Sequence, residues 1–420
     1  MPKPLVLSRT FLILEHYYIR EMNTNETSKN YDEMGEQNPS QDQGYLYHFN
    51  RGLAYFNLNN YSEAIREFDE AIRLNPFHAD SHYYKALSLI ALQRSGSVNA
   101  GISDLYERAI LEFDEAIKID PKNPEYHYQK GLALEILGRQ YEALLEYQDA
   151  IKLNPRNPEY YYRKAIILQD QEKYVDAIAE VDTAIRLNPK NSTYYFRKAL
   201  LLKSMGKLKE ALDQLDKAIS LNPQVAEYYH QKGLILKELK RYDDVLKDYD
   251  NAIKLSPNNP EYHFRKGVLY YELGKYEKAV MELEESVRLN PNNPEYHYQL
   301  GLALFHVMMY EDAVEEFDKA VKLDPQNPQY YYYKGNALKA LWKYDKAIKE
   351  YDKAISLNPN DPLPHYQKGV VLKTLGKYEE AIVELDEAIK LNPDNQQYKI
   401  SRDEVEKTLE ALRKMRGKRK

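Results

Sequence analysis

Residues 124–157 read PEYHYQKGLALEILGRQYEALLEYQDAIKLNPRN. Asn123, Pro124 and Glu125 make a helix start. Asn accepts free backbone N–H groups, proline at the first helical position gives up no bond, and an early acid suits the helix dipole. Tyr128, Gly131, Leu132, Leu134, Ile136 and Leu137 spread apolar and small residues over more than one side, as in a helix buried from several directions. Gly138-Arg139-Gln140 predicts a turn. A second helix is predicted from about Tyr141 to Leu153, with Ala143, Leu144, Tyr147, Ala150 and Ile151 at three- and four-residue spacing. Asn154-Pro155 ends it, because a residue before proline avoids the helical region.

The unit recurs. Pro121, Pro155, Pro189, Pro223, Pro257, Pro291, Pro325, Pro359 and Pro393 follow one another at 34 residues, and Pro76 lies 45 before Pro121. A fixed period of this size means stacked repeats. Ten units follow: 45–78, 79–123, 124–157, 158–191, 192–225, 226–259, 260–293, 294–327, 328–361 and 362–395. The second carries 11 extra residues, Gln93 to Ser103, between its two helices, where serine and glycine predict a loop. Counting Pro124 as position 1, position 8 is always Gly or Ala. Position 20 is Ala except Val245, and position 27 is Ala except Ser286. Small side chains let helix axes approach, so these slots mark helix crossings. On this reading Gly and Ala at position 8 are interchangeable at little cost.

These small residues, the aromatics at position 17 (Tyr174, Tyr242, Tyr276, Tyr310, Tyr344, Tyr378) and the proline at position 32 resemble the tetratricopeptide repeat family over residues 45–395. The resemblance implies an all-α, right-handed superhelical solenoid of two-helix repeats. It also implies a non-enzymatic scaffold that binds another protein or peptide along the inner wall formed by the first helices. The chain departs from the family at position 4, here His or Tyr instead of Trp, and at position 7, usually Lys instead of Leu. A lysine stem can still cover apolar surface.

In the family the inner wall uses positions near 2, 5, 6, 9, 12 and 13. Carried onto this sequence, position 2 gives an acid ladder of Glu125, Glu159, Glu227, Glu261 and Glu295. Position 5 gives an aromatic spine that includes Tyr128, Tyr162, Phe196, His230, Phe264, Tyr298 and Tyr332. Position 6 adds Gln129, Arg163, Arg197, Gln231, Arg265 and Gln299, and the wall changes character at His306 and Asn336. Aromatics and Arg commonly carry interface energy. The competing reading is that the rings pack against neighbouring helices and the glutamates only serve helix N-termini. An acid ladder facing the groove predicts a basic partner. At position 15, Met308 and Trp342, with Met309 beside the first, replace the frequent Gly and predict an apolar edge patch.

Composition narrows the remaining classes. There is no cysteine, which excludes disulfides, thiol catalysis and thiolate metal sites. Net charge of −6 divides into −3 over residues 1–44, −8 over the repeats and +5 over 396–420. An acidic array disfavours nucleic acid, which needs counter-charge along its backbone. No phosphate-binding loop, zinc-protease helix or nucleophile elbow occurs, so no catalytic residue, cofactor or metal is expected. Histidines at position 4 read as packing residues. Residues 1–21 predict a short amphipathic helix with Leu7, Phe11, Leu14 and Tyr18 on one face, and 22–44 a polar linker. Arg9 interrupts the apolar run and no small-residue cleavage site follows, against a signal peptide or a membrane span. A cytoplasmic protein is expected. The alternative is an adaptor that docks to a membrane or larger complex through the N-terminal helix. Residues 396–420 predict a capping helix with a basic tail, and the sequence leaves the oligomeric state open.

Overall fold

The structure is a computed structural model and describes residues 44–96 and 102–417. The expected N-terminal helix (1–21) and nearly all of the linker lie outside the described residues. Within them every regular element is helical, and 21 helices alternate as the period predicts. The chain divides into two compact units, Met1–Gly206 and Lys207–Lys420.

In the first unit, α1 (Gly44–Asn57) pairs with α2 (Tyr61–Leu74), and α3 (Ala79–Arg94) with α4 (Ile102–Ile119). Next come α5 (Pro124–Ile136) with α6 (Gln140–Leu153) and α7 (Pro158–Asp170) with α8 (Tyr174–Leu187), then α9 (Ser192–Ser204). The second unit begins with α10 (Leu208–Leu221). It continues with α11 (Ala226–Glu238) and α12 (Tyr242–Leu255), then α13 (Pro260–Glu272) and α14 (Tyr276–Leu289). Three further pairs are α15 (Pro294–His306) with α16 (Tyr310–Leu323), α17 (Pro328–Ala340) with α18 (Tyr344–Leu357), and α19 (Pro362–Thr374) with α20 (Tyr378–Leu391). The last helix is α21 (Gln396–Gly417). Below, helix A and helix B denote the first and second helix of a repeat. The two ends of the 11-residue insertion, Gln93–Arg94 and Ile102–Ser103, are helical, and 97–101 lie outside the described residues. The insertion lengthens α3 to 16 residues and α4 to 18, where their counterparts mostly have 13 and 14.

Local chemistry sets the ends of each helix. The Asn123 side chain accepts the Glu125 N–H at 3.0 Å, and Asn157, Asn259, Asn293 and Asn327 repeat the bond. Val225 cannot, so α11 starts without a side-chain cap. Helix A ends on a left-handed residue at position 15. Gly138, Gly206, Gly274 and Gly376 supply it without strain, but Asn59, Glu172, Lys240, Met308 and Trp342 adopt the same positive φ.

Three contacts tie the array together. Inside a repeat, the ring or branched chain at position 24 lies on the position 8 glycine. A Cβ on Gly233 would fall 2.6 Å from Cε1 of Tyr249, and one on Gly301 2.7 Å from Cε1 of Phe317. The expected interchange of Gly and Ala is therefore not free, because Tyr147, Tyr249, Phe317 and Tyr351 all fill the space an alanine needs. Between repeats, the tyrosine at position 3 packs on the position 5 ring of the preceding helix A. Examples are Tyr160 on Tyr128 at 5.0 Å and Tyr296 on Phe264 at 4.6 Å. Along one side runs an ion-pair ladder. Lys266 reaches Glu282 of its own repeat at 2.6 Å and Asp250 of the repeat before at 2.7 Å. Lys85, Lys130, Lys334 and Lys368 make the same two bonds.

Position 4 also resolves. The histidines at this position put Nδ1 on the position 23 carboxylate, as His127 does with Glu146 at 2.7 Å. His263 and His297 turn Nε2 to the proline carbonyl that ends the preceding repeat. Tyr161, Tyr195, Tyr229 and Tyr331 donate their hydroxyls to the equivalent carbonyl. His and Tyr share this slot because both reach that acceptor.

The capping helix keeps the repeat register further than its sequence shows. In α21, Tyr398 stacks on Tyr366, Val405 is fully buried, and Arg402 takes the ladder position, bonding Asp386 at 3.0 Å. Asp403 replaces the small residue at position 8. No helix B of its own follows α21 among the described residues, and Asp403 stands exposed.

Candidate functional site: the face of the first helices

The rings proposed as an aromatic spine sit in the seam between successive first helices. Tyr128, Tyr162, His230, Phe264 and Tyr298 are all buried, between 5 and 8% exposed. Each stacks on the position 3 tyrosine of the next repeat. Phe196 and Tyr332 are half-buried, and Tyr332 leans on Tyr333 and Tyr351.

The acid ladder is organised by rungs. Gln129 donates to Glu125 at 2.7 Å, Gln231 to Glu227 at 2.7 Å and Gln299 to Glu295 at 2.8 Å. Arg163 and Arg265 occupy the same place and pair with Glu159 at 3.1 Å and Glu261 at 2.5 Å. The other carboxylate oxygen receives the tyrosine hydroxyl of the next repeat: Tyr194 on Glu159, Tyr262 on Glu227, Tyr296 on Glu261. Arg197, whose repeat has Thr193 at position 2, bonds Gln169 at 3.0 Å and lies over the Tyr162 ring.

The rungs differ electrostatically. Glu125 is half-buried and its donors are neutral. Burial pushes its pKa up, and the hydrogen bonds from Gln129 and Tyr160 only partly counter it. Burial also raises Glu159, against the Arg163 charge. Glu227 ends below the ordinary value, because hydrogen bonds from His230 and Gln231 more than offset burial. Glutamine rungs thus leave a carboxylate without a full cation, whereas arginine rungs neutralise it in place.

The odd members of the wall have internal partners. Asn336 accepts the Tyr351 hydroxyl at 2.9 Å, as Glu135 accepts that of Tyr147 at 2.7 Å. In these two repeats the position 24 tyrosine finds an acceptor on its own helix A, and that pairing is the sequence signal for both. His306 is exposed but stacks flat on Tyr276 at 4.5 Å. On the edge, Met308 and Trp342 are 74% and 77% exposed, and Met309 is exposed too. Leu300, which replaces the ladder lysine, opens a cleft of about 360 Å³ with Met309 on its rim.

Sequence reasoning missed the position 23 carboxylates, such as Glu146, Glu282 and Glu350. Their recurrence opposite His or Tyr at 4 and Lys at 7 was the available signal. Among the described residues no cluster of His, Asp and Glu is placed to hold a metal ion. None of the described helices is long and apolar enough to cross a membrane.

Profiles described as "TPR repeat" match residues 105–138, 233–274, 267–306, 309–341 and 343–376. Profiles described as "Tetratricopeptide repeat" match 45–78, 124–157, 162–226 and 362–395. The chain belongs to the tetratricopeptide repeat family. No curated protein matches it. Among solved structures it is similar to the C-terminal part of a TPR repeat-containing protein from Cytophaga hutchinsonii, at 18% identity and a TM-score of 0.51, over 57% of this chain and 98% of that one. It is also similar to YrrB, described as a TPR protein with an unusual peptide-binding site, at 26% identity and a TM-score of 0.42, over 45% and 97% of the two chains. MamA from Desulfovibrio magneticus RS-1 aligns at 26% identity and a TM-score of 0.39, over 40% and 96%.

Proposed function

We propose that the chain is a protein-interaction scaffold whose first-helix faces hold a basic, extended or helical peptide segment. The supporting observation is the set of glutamine rungs. Glu125 and Glu295 are held in fixed positions by neutral donors, Gln129 and Gln299. A lysine or arginine of a partner would supply the cation that Arg163 and Arg265 supply to their own rungs. The buried position 5 rings keep the helices in register and offer the partner little more than their edges. Binding is therefore electrostatic first, and it weakens as salt rises, since exposed charges are screened over about 8–10 Å.

The test is titration of fluorescent peptides of equal length that are lysine-rich, neutral or acidic. The lysine-rich peptide binds, and Glu125→Gln with Glu295→Gln weakens it at least several-fold with unchanged circular dichroism. Equal binding of the neutral peptide, or indifference to the double substitution, overturns the proposal.

A further inference from the structure

Within each unit, a helix A after the first presents the same face to the repeat before it, and among the described residues nothing covers that face of α1. Position 3 shows this most clearly. Tyr126, Tyr160, Tyr194 and Tyr262 are 1–4% exposed, whereas Tyr47 of α1 is 45% exposed. Leu58, at position 14, is 75% exposed, and Ala54, at a position fully or almost fully buried in later repeats, is only half-buried. Two polar slots are also unfilled. The Tyr126 hydroxyl donates to Asp80 of the preceding repeat at 2.6 Å, but Tyr47 has only Arg51 at 3.5 Å. Lys85, Lys130, Lys266, Lys334 and Lys368 of the ladder each bond an aspartate of the preceding repeat. Arg51, in that position, has its carboxylate partner among the described residues in its own repeat, Glu67 at 3.2 Å. The bare face therefore asks for an apolar stripe with carboxylate groups beside it.

We propose that residues 5–20 of the same chain cover this face of α1 and act as the N-terminal counterpart of α21. Leu7, Phe11, Leu14 and Tyr18 supply the stripe. Glu15 and Tyr18 have the Glu-x-x-aromatic spacing of Glu125 and Tyr128, the pair that meets Tyr160 in the third junction. The segment thus brings to Tyr47 the ring and the carboxylate that its equivalents have. Reach is no obstacle. The 23 residues between Arg20 and Gly44 span up to roughly 75 Å extended, several times the roughly 21 Å length of α1. A tethered segment meets its site at an effective concentration on the order of millimolar. That favours it over a second copy of the chain at ordinary concentrations.

The experiment uses the full chain and the variant Phe11→Asp with Leu14→Asp, whose changes lie outside the repeats. Hydrogen exchange is read at residues 45–58. The double variant loses protection there by about tenfold or more, and the rest of the array is unchanged. Because the chain lacks cysteine, Tyr18→Cys with Tyr47→Cys gives one site pair for a short bismaleimide. Cross-linking a mixture of isotopically light and heavy chains then reports whether the link forms within one chain, the expected result. Links mainly between light and heavy chains overturn the proposal in favour of a second copy. Unchanged exchange in the double variant, or no cross-link at all, overturns it outright.

Discussion

The Cβ that an alanine would place on Gly131 falls 2.5 Å from Cε1 of Tyr147. Carbon atoms do not approach that closely, and the Tyr147 ring is fully buried and hydrogen-bonded to Glu135. Gly131→Ala must move the ring or separate α5 from α6. We expect a loss of about 1–3 kcal/mol, read from urea or thermal melts. Gly131→Ala with Tyr147→Leu should recover part of it. A Gly131→Ala protein as stable as the parent would refute the crossing geometry.

His297 lies between the Glu316 carboxylate at 2.6 Å and the Pro291 carbonyl at 2.8 Å. Burial alone would lower its pKa, but the bonds to Glu316 and Pro291 more than offset this and raise it above 6.5. Its stabilisation is therefore complete below about pH 6.5 and is lost as pH rises through the folded value. Glu316 behaves oppositely. Burial would raise it, yet His297 and Lys319 bring it below the ordinary value, so its share is lost in acid. The melting temperature should fall as pH rises above about 6.5, and His297→Gln should flatten that decline. An identical slope in the variant would count against the pair.

Asp248 departs from the glutamate usual in its column, as Gln214 also does. One methylene shorter than the usual glutamate, it stays 3.9 Å from Lys232, at the wall of a cleft of about 800 Å³. Burial raises its pKa to about 6, with Lys232 pulling it down only in part. A folded pKa above the unfolded one means stability is greatest below about pH 4 and declines as pH rises through 6. Asp248→Asn should therefore raise stability at pH 7.5 by about 1–3 kcal/mol and do little at pH 4. A lower melting temperature at pH 7.5 would show that the Lys232 attraction outweighs burial.

Trp342 holds φ +61° at a turn where other repeats use glycine. A left-handed side chain costs about 1–2 kcal/mol, so Trp342→Gly should stabilise by about that amount. In the parent, the emission of this single tryptophan should be red-shifted and open to quenchers, given its exposure. If the edge patch is an interface, emission moves to the blue on adding the partner. Blue, shielded emission in the free protein would contradict the exposed ring.

The repeats and the helical fold were legible because a 34-residue period writes each structural decision again and again. Helix starts at Asn-Pro-Glu and small residues at crossings are local chemistry. What the sequence hid lay between repeats. The position 5 rings look like a binding spine when helix A is viewed alone. Only the neighbouring position 3 tyrosine shows that they are occupied. Asn336 likewise looks like a site residue until Tyr351, fifteen residues on, delivers its hydroxyl. At the insertion, α3 and α4 run two residues into either end, which the Ser and Gly of its middle gave no sign of.

The ion-pair ladder gives most repeats the same electrical connector, an aspartate facing forward and a lysine facing back. Any two repeats that keep this pair can be joined. Duplicating or excising a 34-residue block would therefore leave a matched junction and a viable chain. Two junctions are exceptions. Gln148 offers no anion to Lys164 between the third and fourth repeats, and Glu284 faces forward where Leu300 offers no cation between the seventh and eighth. Those junctions are keyed to their own neighbours, and a block moved across either would not fit elsewhere. Arrays of this kind can change length by recombination while two joints stay fixed.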